Sequence, residues 1–141
     1  MRALSSLLVI AACSASCTST STPVGPPTTS TLTGTNFRVD VIGGPCAVGR
    51  ACDVRYVVHA LGATHINTEY PHRFEPAPTS AVRFDELKAF AVDDEHTGTL
   101  RTTLSTTTVN NDVAGNLRFS ICSAEHCQIE TLPVSLALPA S

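Results

Sequence analysis

Tryptophan is absent from this 141-residue chain, methionine occurs once, and aromatic residues make up only 5%. A core built without large anchors must rest on Val, Ile, Leu and Ala, and the 43% hydrophobic content is enough for a small one. No basic stripe exists: 9 Lys and Arg are mixed among 12 Asp and Glu for a formal charge of −3, which argues against nucleic-acid binding. No block of like charge forms a tail. The Gly-x-Ser-x-Gly elbow, the phosphate loop and the zinc-protease helix are all missing, so the hydrolase and nucleotide-dependent classes they mark find no support. No apolar run reaches the roughly 20 residues that span a bilayer. The length allows one domain at most once an export signal and a linker are set aside.

What the chain has in excess is cysteine, six in all. In an exported protein such a count points to disulfides, whereas in the cytosol it points to metal binding or thiol catalysis. Export is therefore the first question. Met1-Arg2 is a minimal positive start, and Ala3 to Ala12 is apolar except for Ser5 and Ser6. That is the length of a signal-peptide core and too short to cross a membrane. It ends in Ile10-Ala11-Ala12-Cys13, a branched apolar residue, two small residues and a cysteine, which resembles the bacterial lipobox. The resemblance implies cleavage before Cys13 and lipid on its thiol and on the new amino terminus. Several acyl chains would hold the protein firmly at a membrane. Ser14 stands where Asp would signal inner-membrane retention, so the outer membrane, periplasmic face, is the favoured address. An ordinary secretory signal is the rival reading.

Residues 1–12 thus read as the signal peptide and 13–36 as a lipidated tether. Thr18 to Asn36 is almost entirely Thr, Ser, Pro and Gly, without a hydrophobic period that could bury a core. As a flexible coil it reaches roughly 20–25 Å.

Residues 37–141 read as the folded domain. Phe37 to Val41 alternates apolar and polar, as a half-buried strand does. Cys52 to Ala60 repeats the pattern with Val54, Tyr56 and Val58 on one face, and its His59 falls on the exposed face. Thr64 to Thr68 is a short third segment, and Glu69 to Thr79, with three prolines, is loop or edge. Val82 to Phe84 and Leu87 to Val92 are short apolar pieces, the second compatible with a helical turn. Thr-rich Leu100 to Val109 favours strand. Asn116 to Cys122 places Leu117, Phe119 and Ile121 on one face, and Thr131 to Leu138 alternates through Leu132, Val134, Leu136 and Leu138. The expected fold is all-β, an immunoglobulin-like sandwich of seven or eight short strands. A true immunoglobulin domain is disfavoured, because the core Trp is absent and Ser120 stands two residues before Cys122 where Tyr is expected.

Cys122 and Cys127 enclose only Ser123-Ala124-Glu125-His126. If those four residues turn a hairpin, the cysteines face each other at roughly 4.5–5.5 Å between Cα atoms, within disulfide range. A ring this small contributes only about 2 kcal/mol of chain-entropy stabilisation. An exposed bridge at a loop tip is also the reducible kind. A protonated His126 beside Cys127 would favour a thiolate there. Cys46 and Cys52 make a second small ring, read as a structural staple. The rival pairing joins Cys52 to Cys122 across the sheets.

Leu117 to Cys122, then Cys127-Gln128-Ile129 and the alternating Leu132 to Leu138, resemble the amino-terminal periplasmic domain of the DsbD thiol-disulfide interchange family. Thr64-His65-Ile66-Asn67 falls where that family often has a Gly-Trp-His-Ile-Tyr-like segment. The resemblance implies an immunoglobulin-like sandwich whose two cysteines, here Cys122 and Cys127, are the catalytic pair and exchange with a periplasmic thiol-redox protein. Tyr70 and Phe74 are the candidates for the family's aromatic cap over the cysteines. Gln128-Ile129-Glu130 follows the second cysteine where the family has proline. The membrane and thioredoxin-like domains of the full proteins have no counterpart, so the resemblance implies an isolated module that works with a separate partner.

Three functional readings fit. In the first, Cys122 and Cys127 carry out thiol-disulfide exchange. In the second, a non-catalytic binding or structural lipoprotein holds two inert disulfides. In the third, Cys122, His126 and His65 form a copper site of cupredoxin type, although Glu130 stands near the place of an axial Met. The first two need no cofactor and no metal. A monomer is expected. Asp93-Asp94-Glu95-His96 reads as a solvated turn before it reads as a cation site.

Overall fold

The computed structural model describes residues 25–79 and 81–139. Ten strands form two antiparallel sheets, and no helix occurs among the described residues. In chain order they are β1 (Thr28–Thr33), β2 (Phe37–Gly43), β3 (Ala51–Ala60), β4 (His65–Ile66), β5 (Arg73–Pro76), β6 (Val82–Leu87), β7 (Ala91–Val92), β8 (Thr97–Thr106), β9 (Asp112–Cys122) and β10 (Cys127–Ala137). The larger sheet runs β1-β2-β3-β8-β6, with β7 also on β8. In the smaller sheet β9 is central, with β10 on one side and β4 and β5 in succession on the other.

The period-2 pattern decides which residues meet between the sheets. Val39 and Val41 of β2, Val54, Tyr56 and Val58 of β3, and Leu100 and Leu104 of β8 point inward from the larger sheet. Val113, Leu117, Phe119 and Ile121 of β9, with Val134 and Leu136 of β10, answer from the smaller one. Each fully buried aliphatic or aromatic side chain is worth about 1.5–3 kcal/mol of transfer free energy. Aromatic contacts across the interface take the place of the missing tryptophan, among them Phe74 with Phe84 of β6 at 5.6 Å. Phe37 meets Phe119 edge-on at 5.0 Å, and Tyr56 stacks on Phe74 of β5 at 4.6 Å.

Three expectations change. Residues 28–33, which the composition placed in the tether, form β1, paired along its whole length with β2 from Thr28↔Gly43 to Thr33↔Arg38. The sandwich therefore begins at Thr28 rather than Phe37. Thr31 Oγ1 donates to Asp40 Oδ1 at 2.9 Å, and Leu32 packs against the core. The helical turn around Leu87 is absent: β6 continues to Leu87 through a bulge between Phe84 and Glu86, and β7 follows. His59 is half-buried and sits 3.1 Å from Asp40 Oδ2, which also pairs with Arg38. The signal peptide, Cys13, Cys17 and residues 14–24 lie outside the described residues.

The acidic stretch from Asp93 to Glu95 makes a tight turn between β7 and β8. Asp94 Oδ1 accepts the His96 N–H at 2.8 Å, and Asp93 Oδ2 accepts the Thr99 hydroxyl at 2.6 Å.

Candidate functional site: the Cys122–Cys127 hairpin

β9 and β10 are joined by the four residues Ser123 to His126, and the register sets Cys127 opposite Cys122. The turn contains no glycine and is held by Ser123. Its N–H donates to the His126 carbonyl at 2.8 Å, while its Oγ accepts the N–H groups of Glu125 and His126 at 3.3 Å each. Ser123 and His126 are thus the hydrogen-bonded pair that closes the hairpin. Cys122 and Cys127 are the next pair in, of the non-hydrogen-bonded kind, in which opposing Cα atoms stand closest. They form a disulfide with Cα atoms 3.9 Å apart, closer than strand pairing alone suggests.

The two cysteines are not equivalent. Cys122 is buried, only 6% exposed, whereas Cys127 is exposed. Ile121, Phe119 and Leu117 of β9 point into the core, so Cys122 lies on the outer face of the smaller sheet. On the far side of β9, β4 sets His65 opposite Cys122. His65, Cys122 and Cys127 therefore share one face in a row across three strands. His126 stands in the turn beside them. Cys122 is bonded to Cys127 rather than free to ligate copper, and no three His, Cys, Asp or Glu side chains among the described residues are grouped as metal ligands.

Cys46 and Cys52 form the other local disulfide, with Cα atoms 5.5 Å apart, so the Cys52–Cys122 pairing does not occur. Its surroundings differ. Cys46 is 4% exposed and belongs to the core cluster, with half-buried Cys52 packed against it. The Cys46 N–H donates to the Pro139 carbonyl, which ties the segment after β10 to the loop. Gly49 takes φ of +74° inside this ring, a left-handed conformation that glycine adopts without steric cost, and its N–H donates to the Thr106 carbonyl. Register places the two bridges at opposite ends of the sandwich. Cys52 opposes Leu104 near the end of β8, where Thr28, Gly43 and Ala137 also lie. Cys122 lies at the other end, with His65 and the β9–β10 turn. The chain thus comes into the sandwich at the stapled end, and the exposed hairpin is at the far end. The 11 residues of β9 separate the two ends by roughly 35 Å.

Neither aromatic cap candidate takes that position over the bridge. Phe74 is 3% exposed, pairs with Leu117 and stacks on Tyr56 inside the sandwich. It lies five residues along β9 from Cys122, about 16 Å away. Tyr70 instead packs edge-on against His72 at 5.4 Å, in a cleft of about 240 Å³ that Phe90 and Val92 also line.

His72 was not singled out by the sequence, since no local pattern marks it. After Asn67, whose N–H still bonds the Ser120 carbonyl, the chain loops away from β9 before β5, and the imidazole fills the gap it leaves. Nε2 is 2.6 Å from the Asn67 carbonyl oxygen, and Nδ1 is 3.4 Å from the Ser120 nitrogen. A carbonyl only accepts and an amide N–H only donates, so Nε2 carries the proton and Nδ1 must be bare. The ring also stacks on Phe90 at 4.1 Å, which joins the edges of the two sheets. Asn67 Nδ2 completes the cluster by donating to Ser120 Oγ at 3.2 Å. Burial pushes the His72 imidazole below its ordinary 6.5, against the opposing pull of the Asn67 carbonyl.

The consequence for stability has a definite sign. Below pH 6.5 the unfolded chain takes up a proton that the folded one refuses, so the contribution of His72 is complete above that pH. It falls as the pH drops from 6.5 through the folded value. Urea titrations between pH 7.5 and 5, above the range in which carboxylates titrate, should show the wild type losing stability relative to His72→Gln as the pH falls. A difference between the two proteins that does not change with pH would contradict this account.

No protein-family model matches the chain, and comparison with curated proteins finds no match.

Proposed function

We propose that this is a lipid-anchored protein of the bacterial envelope whose Cys122–Cys127 disulfide exchanges with thiols of a periplasmic partner. The carrying observation is the contrast between its two bridges. One is packed in the core at the end where the chain comes in, and the other is exposed at the opposite tip. A lipid on Cys13 would leave residues 14–27 as the tether, with a reach of roughly 20 Å. The stapled end would then be nearest the membrane and the hairpin free to meet soluble partners.

In the exchange a partner thiolate attacks Cys127 Sγ, the exposed sulfur. The Cys122–Cys127 bond breaks, a mixed disulfide forms at Cys127, and Cys122 leaves as a thiolate and takes a proton. A second partner thiolate then attacks the partner's own sulfur in that mixed disulfide and expels Cys127. The partner ends as a disulfide, and this chain ends as a dithiol carrying two more electrons and two more protons. The reverse sequence reduces a partner disulfide. This is the chemistry that the DsbD-like resemblance implies, and it requires neither metal nor cofactor.

The reduction potential of the pair tests the reading. A value above about −300 mV is expected for an exchanging bridge, and a value below it marks an inert structural one. Cys46–Cys52 serves as the internal comparison and should be the harder to reduce. The anchor is tested separately. Cys13→Ser should move the protein from the membrane fraction to the soluble one, and a variant that stays at the membrane would refute lipidation at that cysteine.

A further inference from the structure

β10 is an edge strand: among the described residues only β9 pairs with it. The closing bond from Ser123 N to the His126 carbonyl fixes which of its backbone groups are free. Hydrogen-bonded pairs alternate along an antiparallel ladder, so Gln128, Glu130 and Leu132 bond to β9. Cys127, Ile129 and Thr131 turn their N–H and C=O groups to the open edge. Pro133 agrees with this register, because its missing N–H falls on the open side and leaves the β9 ladder whole.

Natural edge strands are usually guarded by Lys, by Pro or by a bulge. From Cys127 to Leu132 β10 contains no basic residue, its first proline is Pro133 and its register with β9 is unbroken; its one charge, Glu130, lies on the opposite face from Cys127 and Ile129, bonded to Gln128. Ile129 is 58% exposed on the same face as Cys127. An open ladder, an exposed apolar side chain and an exposed sulfur thus lie on one short stretch.

Resting on the exchange reading above, we propose that the thiol partner docks by adding an extended, cysteine-bearing segment to the Cys127–Thr131 edge of β10. The register makes the chemistry possible. Because Cys127 presents its backbone groups outward, it forms a hydrogen-bonded pair with the residue opposite, at about 5.5 Å between Cα atoms. That is the commonest Cα separation of a disulfide. The side chains of such a pair point to the same face, so a partner cysteine opposite Cys127 presents its sulfur to Cys127 Sγ. In an antiparallel approach, the residue two before the partner cysteine lies opposite Ile129, and an apolar side chain there covers it. Main-chain bonds supply affinity and the alternate side chains supply selectivity, as in other strand-addition complexes. Pro133 ends the ladder, so the recognised segment is short.

The test uses the full-length protein in detergent and the acetylated pentapeptide valine-threonine-valine-threonine-cysteine as probe. Mixed-disulfide formation is followed by mass spectrometry, with a small monothiol as reference. The readout is the ratio of peptide rate to small-thiol rate. Pre-positioning should raise that ratio by about tenfold or more. The ratio should collapse toward one when the peptide is N-methylated at its cysteine and at the valine two before it, because both amides would donate to β10. Thr131→Pro should shrink it as well, by removing one outward N–H. A ratio indifferent to N-methylation would overturn the docking proposal while leaving the exchange reading intact. If neither peptide nor small thiol reacts, the exchange reading fails first and the docking proposal with it. Sedimentation that finds a dimer of the wild-type chain, abolished by Thr131→Pro, would also overturn the proposal by assigning the edge to a second copy.

Discussion

Phe119→Ala is expected to cost about 3–5 kcal/mol of folding stability. Phe119 is fully buried on β9, and its ring meets Phe37 of the facing sheet edge-on at 5.0 Å. With no tryptophan in the chain, this contact is one of the few large-ring contacts that join the two sheets, beside the Tyr56–Phe74–Phe84 group. Truncation removes the transfer free energy of the ring and leaves a cavity that the surrounding core closes only in part. A domain of this size is stable by roughly 5–15 kcal/mol, so the variant should be marginal, with a urea midpoint lowered by about a third or more. Phe119→Leu keeps most of the volume and should lose far less. If Phe119→Ala unfolds at the wild-type midpoint, Phe119 is not a central contact of the core.

The second large effect is chemical. Cys127→Ser should abolish mixed-disulfide formation at the hairpin, because the exposed sulfur is gone and the buried Cys122 is left unpaired. Cys122→Ser should do the opposite and leave Cys127 as an accessible thiol that is readily trapped. The double variant Cys46→Ser with Cys52→Ser should leave the hairpin's exchange rate unchanged. In the chain-entropy model, loss of either small ring costs a similar amount, about 2 kcal/mol. The two bridges are therefore distinguished by reactivity and not by stability. Thiol trapping followed by mass spectrometry reads the first, and urea unfolding reads the second. Equal trapping rates at Cys46–Cys52 and Cys122–Cys127 would remove the ground for treating them differently.

Much of the sandwich could be read from local pattern. Val54, Tyr56 and Val58, like Leu117, Phe119 and Ile121, alternate with polar residues, and a strand with one buried face must do so. Both disulfides were also legible, because each joins cysteines five or six residues apart, a span that a single turn closes. β1 was not. Thr28-Thr29-Ser30-Thr31-Leu32-Thr33 contains one apolar residue, and its composition matches that of a tether. It is a strand because the backbone of β2 offers it a ladder and Leu32 a place at the core. Only the β-preference of threonine pointed that way.

What the sequence determined by itself was the alternation of its strands, the pairing of nearby cysteines and the lipobox-like Ile10 to Cys13. All are properties of a few consecutive residues, set by the geometry of a strand, a turn or a recognition motif. Only the tertiary structure decided that the two bridges sit at opposite ends, that Cys127 is exposed while Cys122 is covered, and that His65 lies beside the pair. It also decided that His72 plugs a loop against Ser120 and that, among the described residues, no strand covers one edge of β10. Each of these depends on which distant strands pair and in what register: His65 with Cys122, Thr28 with Gly43, Ala51 with Ser105. Period-2 alternation shows a residue's face but not its neighbour, because every register that keeps the apolar face inward satisfies it equally well.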